Sequence, residues 1–186
     1  YWLYSECTLI NALFESVSSL TTTGFFTIGN LEMLPKGIIL WRSILQWLGG
    51  IGIIVMAITV FPVLRIGGMQ LFVAESPGLK PDKLAPKIRD TAKRLWLIYV
   101  GLTAVEFILL KLAGMTWFDA LNHALTTMAT GGFSTHNSST AEFSPLIQYI
   151  IILFMFLAGT SFTLTYFGLT GQVKKVLKNE EFRYYT

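Results

Sequence analysis

Three stretches of the 186-residue chain are apolar for long enough to cross a bilayer, whose hydrocarbon core of about 30 Å takes roughly 20 helical residues. The first runs from Ile38 to Leu64, through Trp41, Trp47 and the unbroken apolar run Ile51 to Ile58, and closes at Pro62 and Arg65. The second runs from Leu95 to Leu112 behind Lys93 and Arg94, with Glu106 as its single acid. The third runs from Leu146 to Leu169, behind Pro145 and ahead of Lys174 and Lys175. Between and before them lie two half-apolar segments of about ten residues, long enough for a helix but too short to span.

Charge gives the spans a direction. The loop between the first two carries Arg65, Lys80, Lys83, Lys87, Arg89, Lys93 and Arg94 against three acids, and Lys174, Lys175 and Lys178 follow the third. If all three spans cross, these basic segments share a side, which the excess of Lys and Arg marks as cytoplasmic. The segments Tyr1 to Lys36 and Lys111 to Ser144 then lie outside, where Glu6, Glu15, Glu32, Asp119 and Glu142 outnumber the lysines.

Those two outer segments repeat each other. Asn11 to Thr27 aligns without gaps to Asp119 to Thr135: Ala12, Leu13, Thr22, Gly24, Phe25 and Thr27 match Ala120, Leu121, Thr130, Gly132, Phe133 and Thr135. Ser18 and Ser19 face Thr126 and Thr127. The unit is a short helix, then Thr-x-Gly-Phe, then a crossing. Irregular backbone at membrane depth survives only where protein buries it or where it lines a water-filled cavity. Gly24 and Gly132 permit backbone angles closed to other residues, so successive carbonyls can turn toward one axis, and carbonyl rings of this kind replace the hydration shell of a cation. The negative C-terminal pole of each short helix points at the same place. A single Thr/Ser/Gly turn at a helix end is commonplace; two copies, each between a short helix and a crossing, argue for a pore.

Composition narrows the alternatives. The chain is 53% hydrophobic and 13% charged, where a soluble domain carries about a quarter charged residues; its mean hydropathy is +0.57. The net charge of +3 is too small to suggest nucleic acid. One cysteine, Cys7, and two histidines form neither a disulfide framework nor a Cys/His metal cluster. There is no phosphate-binding loop of the Gly-x-x-x-x-Gly-Lys-Ser/Thr kind and no nucleophile with a paired base. Starting at Tyr1 and ending on a polar segment, the sequence reads as a piece of a longer polypeptide.

The residues resemble the Trk/Ktr/HKT superfamily of potassium transporters, and within it the bacterial Trk-type membrane subunit. The stretches that carry the resemblance are Phe14 to Gly24, Trp41 to Val55, Pro62 to Leu71 and Gly131 to His136. It implies an all-α integral membrane protein of repeated helix, re-entrant pore loop, helix units around a central ion pathway. Residues 1–64 would be the pore loop and second transmembrane helix of repeat one, 65–94 a cytoplasmic basic loop, 95–170 repeat two and 171–186 a cytoplasmic linker. The resemblance assigns potassium, as transported ion, to the carbonyls of Thr22 and Thr23 beside Gly24, and of Thr130 and Gly131 beside Gly132. Two further filter loops would lie outside this chain. Glycine at positions 24 and 132 matches members that prefer potassium, whereas serine in the first loop of some plant members accompanies sodium. Glycine rather than a larger residue at position 131 predicts a looser site than a potassium-channel filter. No organic cofactor is implied. The implied partners are membrane lipid, a second copy in a homodimer, and a cytosolic nucleotide-binding regulatory subunit of TrkA type. The implied location is the cytoplasmic membrane of a bacterium, crossed several times.

Other residues have plainer readings. Gly49, Gly50 and Gly52 allow close helix packing, as do most of Gly159, Thr160, Ser161, Thr163 and Thr165. Arg42 is expected to pair with an acid near the outer vestibule, such as Glu32 or Glu142. His123 and His136 read as polar packing groups. The lysines between Ser76 and Pro86 suit lipid headgroups. Glu106, an acid within a span, is a functional candidate by position. Two rival readings remain: an intramembrane enzyme using Glu106 or His123 as acid or base, and a non-transporting membrane scaffold whose Thr/Gly turns are interfacial loops.

Overall fold

A computed structural model describes residues 8–27, 29–31, 33–59 and 87–160, and beyond these positions 164, 165, 168, 179 and 182; side chains are described outside 53–59 and 87–93. The described residues form five helices and no strand: α1 (Leu9–Leu20), α2 (Lys36–Thr59), α3 (Lys87–Leu112), α4 (Trp117–Met128) and α5 (Pro145–Gly159). Most of the basic loop, all but two positions of the linker 171–186, and Cys7, Glu32, Ser161 and Thr163 lie outside the described residues.

The chain divides into two compact units. One comprises Tyr1–Gly50 with Gly101–Gly159, and contains both short helices, both Thr-x-Gly turns and the parts of α2 and α3 that flank them. Its apolar core gathers Leu110 from α3, Met115, Ala120 from α4, and Ile147 and Ile151 from α5. The other comprises Ile51–Val100 with Thr160–Thr186, in which Leu95, Tyr99 and Leu164 are buried and the hydroxyls of Thr160 and Thr165 meet at 3.3 Å.

The helices begin where the sequence supplies caps. Thr8 and Thr116 each sit extended ahead of their helix and accept the backbone N–H three residues on, from Asn11 and Asp119, satisfying a donor that the helix cannot. Pro145 opens α5, at the position where its missing N–H costs no helical bond. Helix α3 starts at Lys87, eight residues ahead of the expected start of the second span at Leu95. Hydropathy marks the part of a helix that meets lipid, whereas Lys87, Arg89, Lys93 and Arg94 continue the same helix as good helix formers. Its segment Arg94–Leu112 is long and apolar enough to cross a membrane.

Helix α1 is inverted relative to a soluble helix. It buries Ala12, Glu15, Ser18 and Ser19 and exposes Leu9, Ile10, Leu13, Val17 and Leu20. Helix α4 buries Asn122, His123, Thr126 and Thr127 together with Ala120, Ala124, Leu125 and Met128. Polar groups turn inward and apolar ones outward when the surroundings are lipid or further protein rather than water.

Candidate functional site

Both short helices end in the same backbone turn. After α1, Thr22 N–H donates to Ser19 O (3.1 Å) and Thr23 N–H to Ser18 O (3.0 Å); after α4, Thr130 N–H donates to Thr127 O (2.9 Å) and Gly131 N–H to Thr126 O (3.0 Å). This 6→1 and 5→2 pairing is a Schellman closure, which needs a left-handed residue just past the helix. Glycine usually fills that place, but here it is threonine: Thr22 has φ 55° and Thr130 φ 52°. A β-branched residue in this region is strained, at a cost of order 1–3 kcal/mol. Two residues on, Gly24 and Gly132 are left-handed again, at φ 79° and 72°. The turns are thus superposable in conformation as well as in sequence.

Equivalent side chains tie each turn back to its helix. Ser18 Oγ donates to Phe25 O at 2.6 Å, and Thr126 Oγ1 donates to Phe133 O at 2.8 Å. These hydroxyls, read in the sequence only as similar polar residues, fix where the main chain leaves the turn.

Helix α2 forms the wall behind both turns. Arg42 Nη2 lies 3.2 Å from Glu15 Oε2, with both side chains buried, an ion pair whose geometry falls short of a hydrogen bond. Arg42 also stacks its guanidinium over Phe133, 4.1 Å from the ring centre, and faces Phe26 at 5.9 Å, so one cation touches both repeats. Glu15 Oε1 in turn accepts the Thr27 N–H. A structural ion pair for Arg42 was the expectation, but the acid is Glu15 of the short helix and not Glu142, which pairs with His136. Glu32 lies outside the described residues. Helical geometry nearly two turns into α2 brings Arg42 against α1, a proximity no spacing in the sequence encodes.

One turn further on, the fully buried Gln46 reaches the second loop: its Nε2 donates to Gly131 O at 3.0 Å, and its Oε1 accepts from Phe133 N–H at 3.4 Å. Behind Gly131 the chain is tightly packed. A Cβ there would lie 2.2 Å from Gln46 Cδ; the amide fills the space a side chain would take. Ser43 donates to Asn122 Oδ1 at 2.7 Å and Trp47 to Thr103 Oγ1 at 3.1 Å, which seat α2 against α4 and α3. Gly49 packs beneath the end of α1, where a Cβ would lie 2.0 Å from Leu20 O, while Gly52 meets nothing described within 4 Å.

Outside the second loop, Asp119 accepts from Thr116 Oγ1 (2.6 Å) and Thr135 Oγ1 (2.7 Å) and lies 3.7 Å from His136. Partial burial pushes its carboxyl upward, but the two hydroxyl donors and the nearby His136 and His123 outweigh that and hold it below the ordinary carboxylate value. His123 has both nitrogens engaged, Nδ1 with Asp119 O (2.9 Å) and Nε2 with Ser134 Oγ (3.2 Å), and meets Phe143 edge-on. Packing was its expected role. Glu106 is fully buried beside Thr127, and among the described residues neither carboxyl oxygen has a donor in full hydrogen-bond geometry. A cavity of about 540 Å³ opens between the second loop and α5, with Thr130, Gly132, Gln148 and Met155 in its lining.

The described residues are all helical and carry one turn twice over, and the TrkH family, described as "Cation transport protein", matches residues 3–185, which defines the class as cation transport proteins. The chain belongs to that family. It is 48% identical over 188 residues to the Trk system potassium uptake protein TrkH of Salmonella typhimurium, covering 98% of this chain and 39% of that one. It is 40% identical over 189 residues to the Trk system potassium uptake protein TrkG of Escherichia coli, covering 99% and 39%. The crystal structure of the potassium transporter TrkH from Vibrio parahaemolyticus matches with a TM-score of 0.76 at 42% identity, covering 95% of this chain and 36% of that one. The chain thus spans about two fifths of the length of these relatives.

Proposed function

We propose that this chain supplies two of the filter loops of a potassium-uptake protein of the bacterial cytoplasmic membrane. The observation that carries the reading is the identity of the two turns: two short helices, each closed by a left-handed threonine and followed by a left-handed glycine. Residues alternating in hand send successive carbonyls to one side, and desolvation of a monovalent cation needs that geometry. In this reading the carbonyls of Thr22, Thr23 and Thr130 coordinate potassium beside Gly24 and Gly132. Gly131 contributes its carbonyl through the lone pair that Gln46 leaves free. The ion is cargo, and the chemistry is dehydration and rehydration without covalent steps. The names of the relatives support potassium as that cargo.

The same reading places the basic segments at the cytoplasmic face, where a nucleotide-binding regulatory subunit and anionic lipid would meet the protein, and takes a homodimer as the working assembly. The scaffold alternative predicts that the turns do not matter to flux. The test is rubidium uptake by the full-length protein in a host lacking its own potassium uptake. Replacement of both Gly24 and Gly132 by serine should abolish potassium-selective uptake per molecule present in the membrane; wild-type flux in that variant would refute the filter.

A further inference from the structure

We propose that Gln46 is a positioning residue for ion selectivity: from α2 of one repeat it locks the second loop, and through it the contact between the two loops. The inference rests on the filter reading and adds to it a residue outside the Thr-x-Gly segments.

A primary amide has a donor side and an acceptor side. Gln46 presents the donor to Gly131 O and the acceptor to Phe133 N–H, bracketing Gly132 between them. Only one orientation of the amide serves, because the flipped one would set its NH₂ against Phe133 N–H and its oxygen against Gly131 O. The main chain of the loop is thereby paired as a strand is paired to its neighbour, with the partner supplied by a side chain. Burial removes water as a substitute for either bond, so loss of a partner leaves a desolvated polar group.

Gly131 is shaped to this amide. Its φ is not in the left-handed region, so its lack of a side chain serves space rather than backbone freedom, and the space is Gln46's. The oxygen that Gln46 holds is also the atom against which Gly24 of the first loop abuts. One amide therefore fixes a carbonyl common to the packing of both loops. Discrimination between cations of the same charge depends on the number and placement of such oxygens, and a carbonyl released from Gln46 is free to turn toward a smaller ion.

The experiment measures rubidium uptake per molecule in the membrane, and its inhibition by sodium, for the full-length protein and for Gln46→Glu and Gln46→Leu. Gln46→Glu keeps an oxygen for Phe133 N–H and removes the donor to Gly131; Gln46→Leu removes both. The sodium concentration that halves uptake is expected to fall roughly tenfold in both, the scale of one hydrogen bond. Unchanged sodium sensitivity in either variant overturns the proposal. So does absence of both variants from the membrane, which assigns Gln46 to packing alone. A wild-type protein without rubidium uptake refutes the filter reading itself, an outcome distinct from either.

Discussion

A Cβ on Gly24 would lie 2.1 Å from the carbonyl oxygen of Gly131, so the two Thr-x-Gly turns meet main chain to main chain. Gly132, the sequence equivalent of Gly24, meets nothing described within 4 Å.

The two glycines should therefore differ. Gly24→Ala combines left-handed strain with collision against backbone, which cannot swing aside, whereas Gly132→Ala carries the strain alone, about 1–2 kcal/mol. Thermal unfolding in detergent should show Gly24→Ala the less stable by at least about 1 kcal/mol, with a larger loss of rubidium uptake. Equal effects would mean that the loops do not touch.

Removing one member of the Glu15–Arg42 pair strands the other in the interior. Arg42→Met and Glu15→Gln should each destabilise, Arg42→Met the more, by about 3–5 kcal/mol. The double variant should recover part of that loss, with a coupling of about 1–3 kcal/mol in a double-mutant cycle. Additive losses would show that the pair acts only through separate packing contacts.

Asp119 gives a pH dependence of defined sign. Its folded pKa is lower than the unfolded one, so its contribution is fully present above the unfolded value of about 4 and is lost as pH falls through the folded value. Melting temperature should drop on acidification below about pH 4, and Asp119→Asn should flatten that part of the curve. A slope identical in the variant would place the acid sensitivity elsewhere.

Within one glycine cluster, Gly49 and Gly52 should separate. Gly49→Ala drives a methyl into Leu20 O and should cost about 1–3 kcal/mol, the usual price of overpacking. Gly52→Ala should be neutral or stabilising by up to about 1 kcal/mol, since alanine favours helix. Comparable melting of the two would contradict the seating of α1 on α2.

Periodicity and repetition marked the helices and the paired turns, though not the start of α3 at Lys87, because hydropathy and left-handed glycines act within a few residues of themselves. The alignment of Asn11–Thr27 with Asp119–Thr135 carried the candidate site in the same way. Gln46, lying in an apolar run, has no local signal, and its meaning appears only when α2 passes behind Gly131. The choice of Glu15 over Glu142 for Arg42, and the difference between Gly24 and Gly132, were likewise decided by the tertiary structure. A pairing between distant segments depends on helix crossing and on which faces meet, and those are settled by burial over the whole unit rather than by neighbours along the chain.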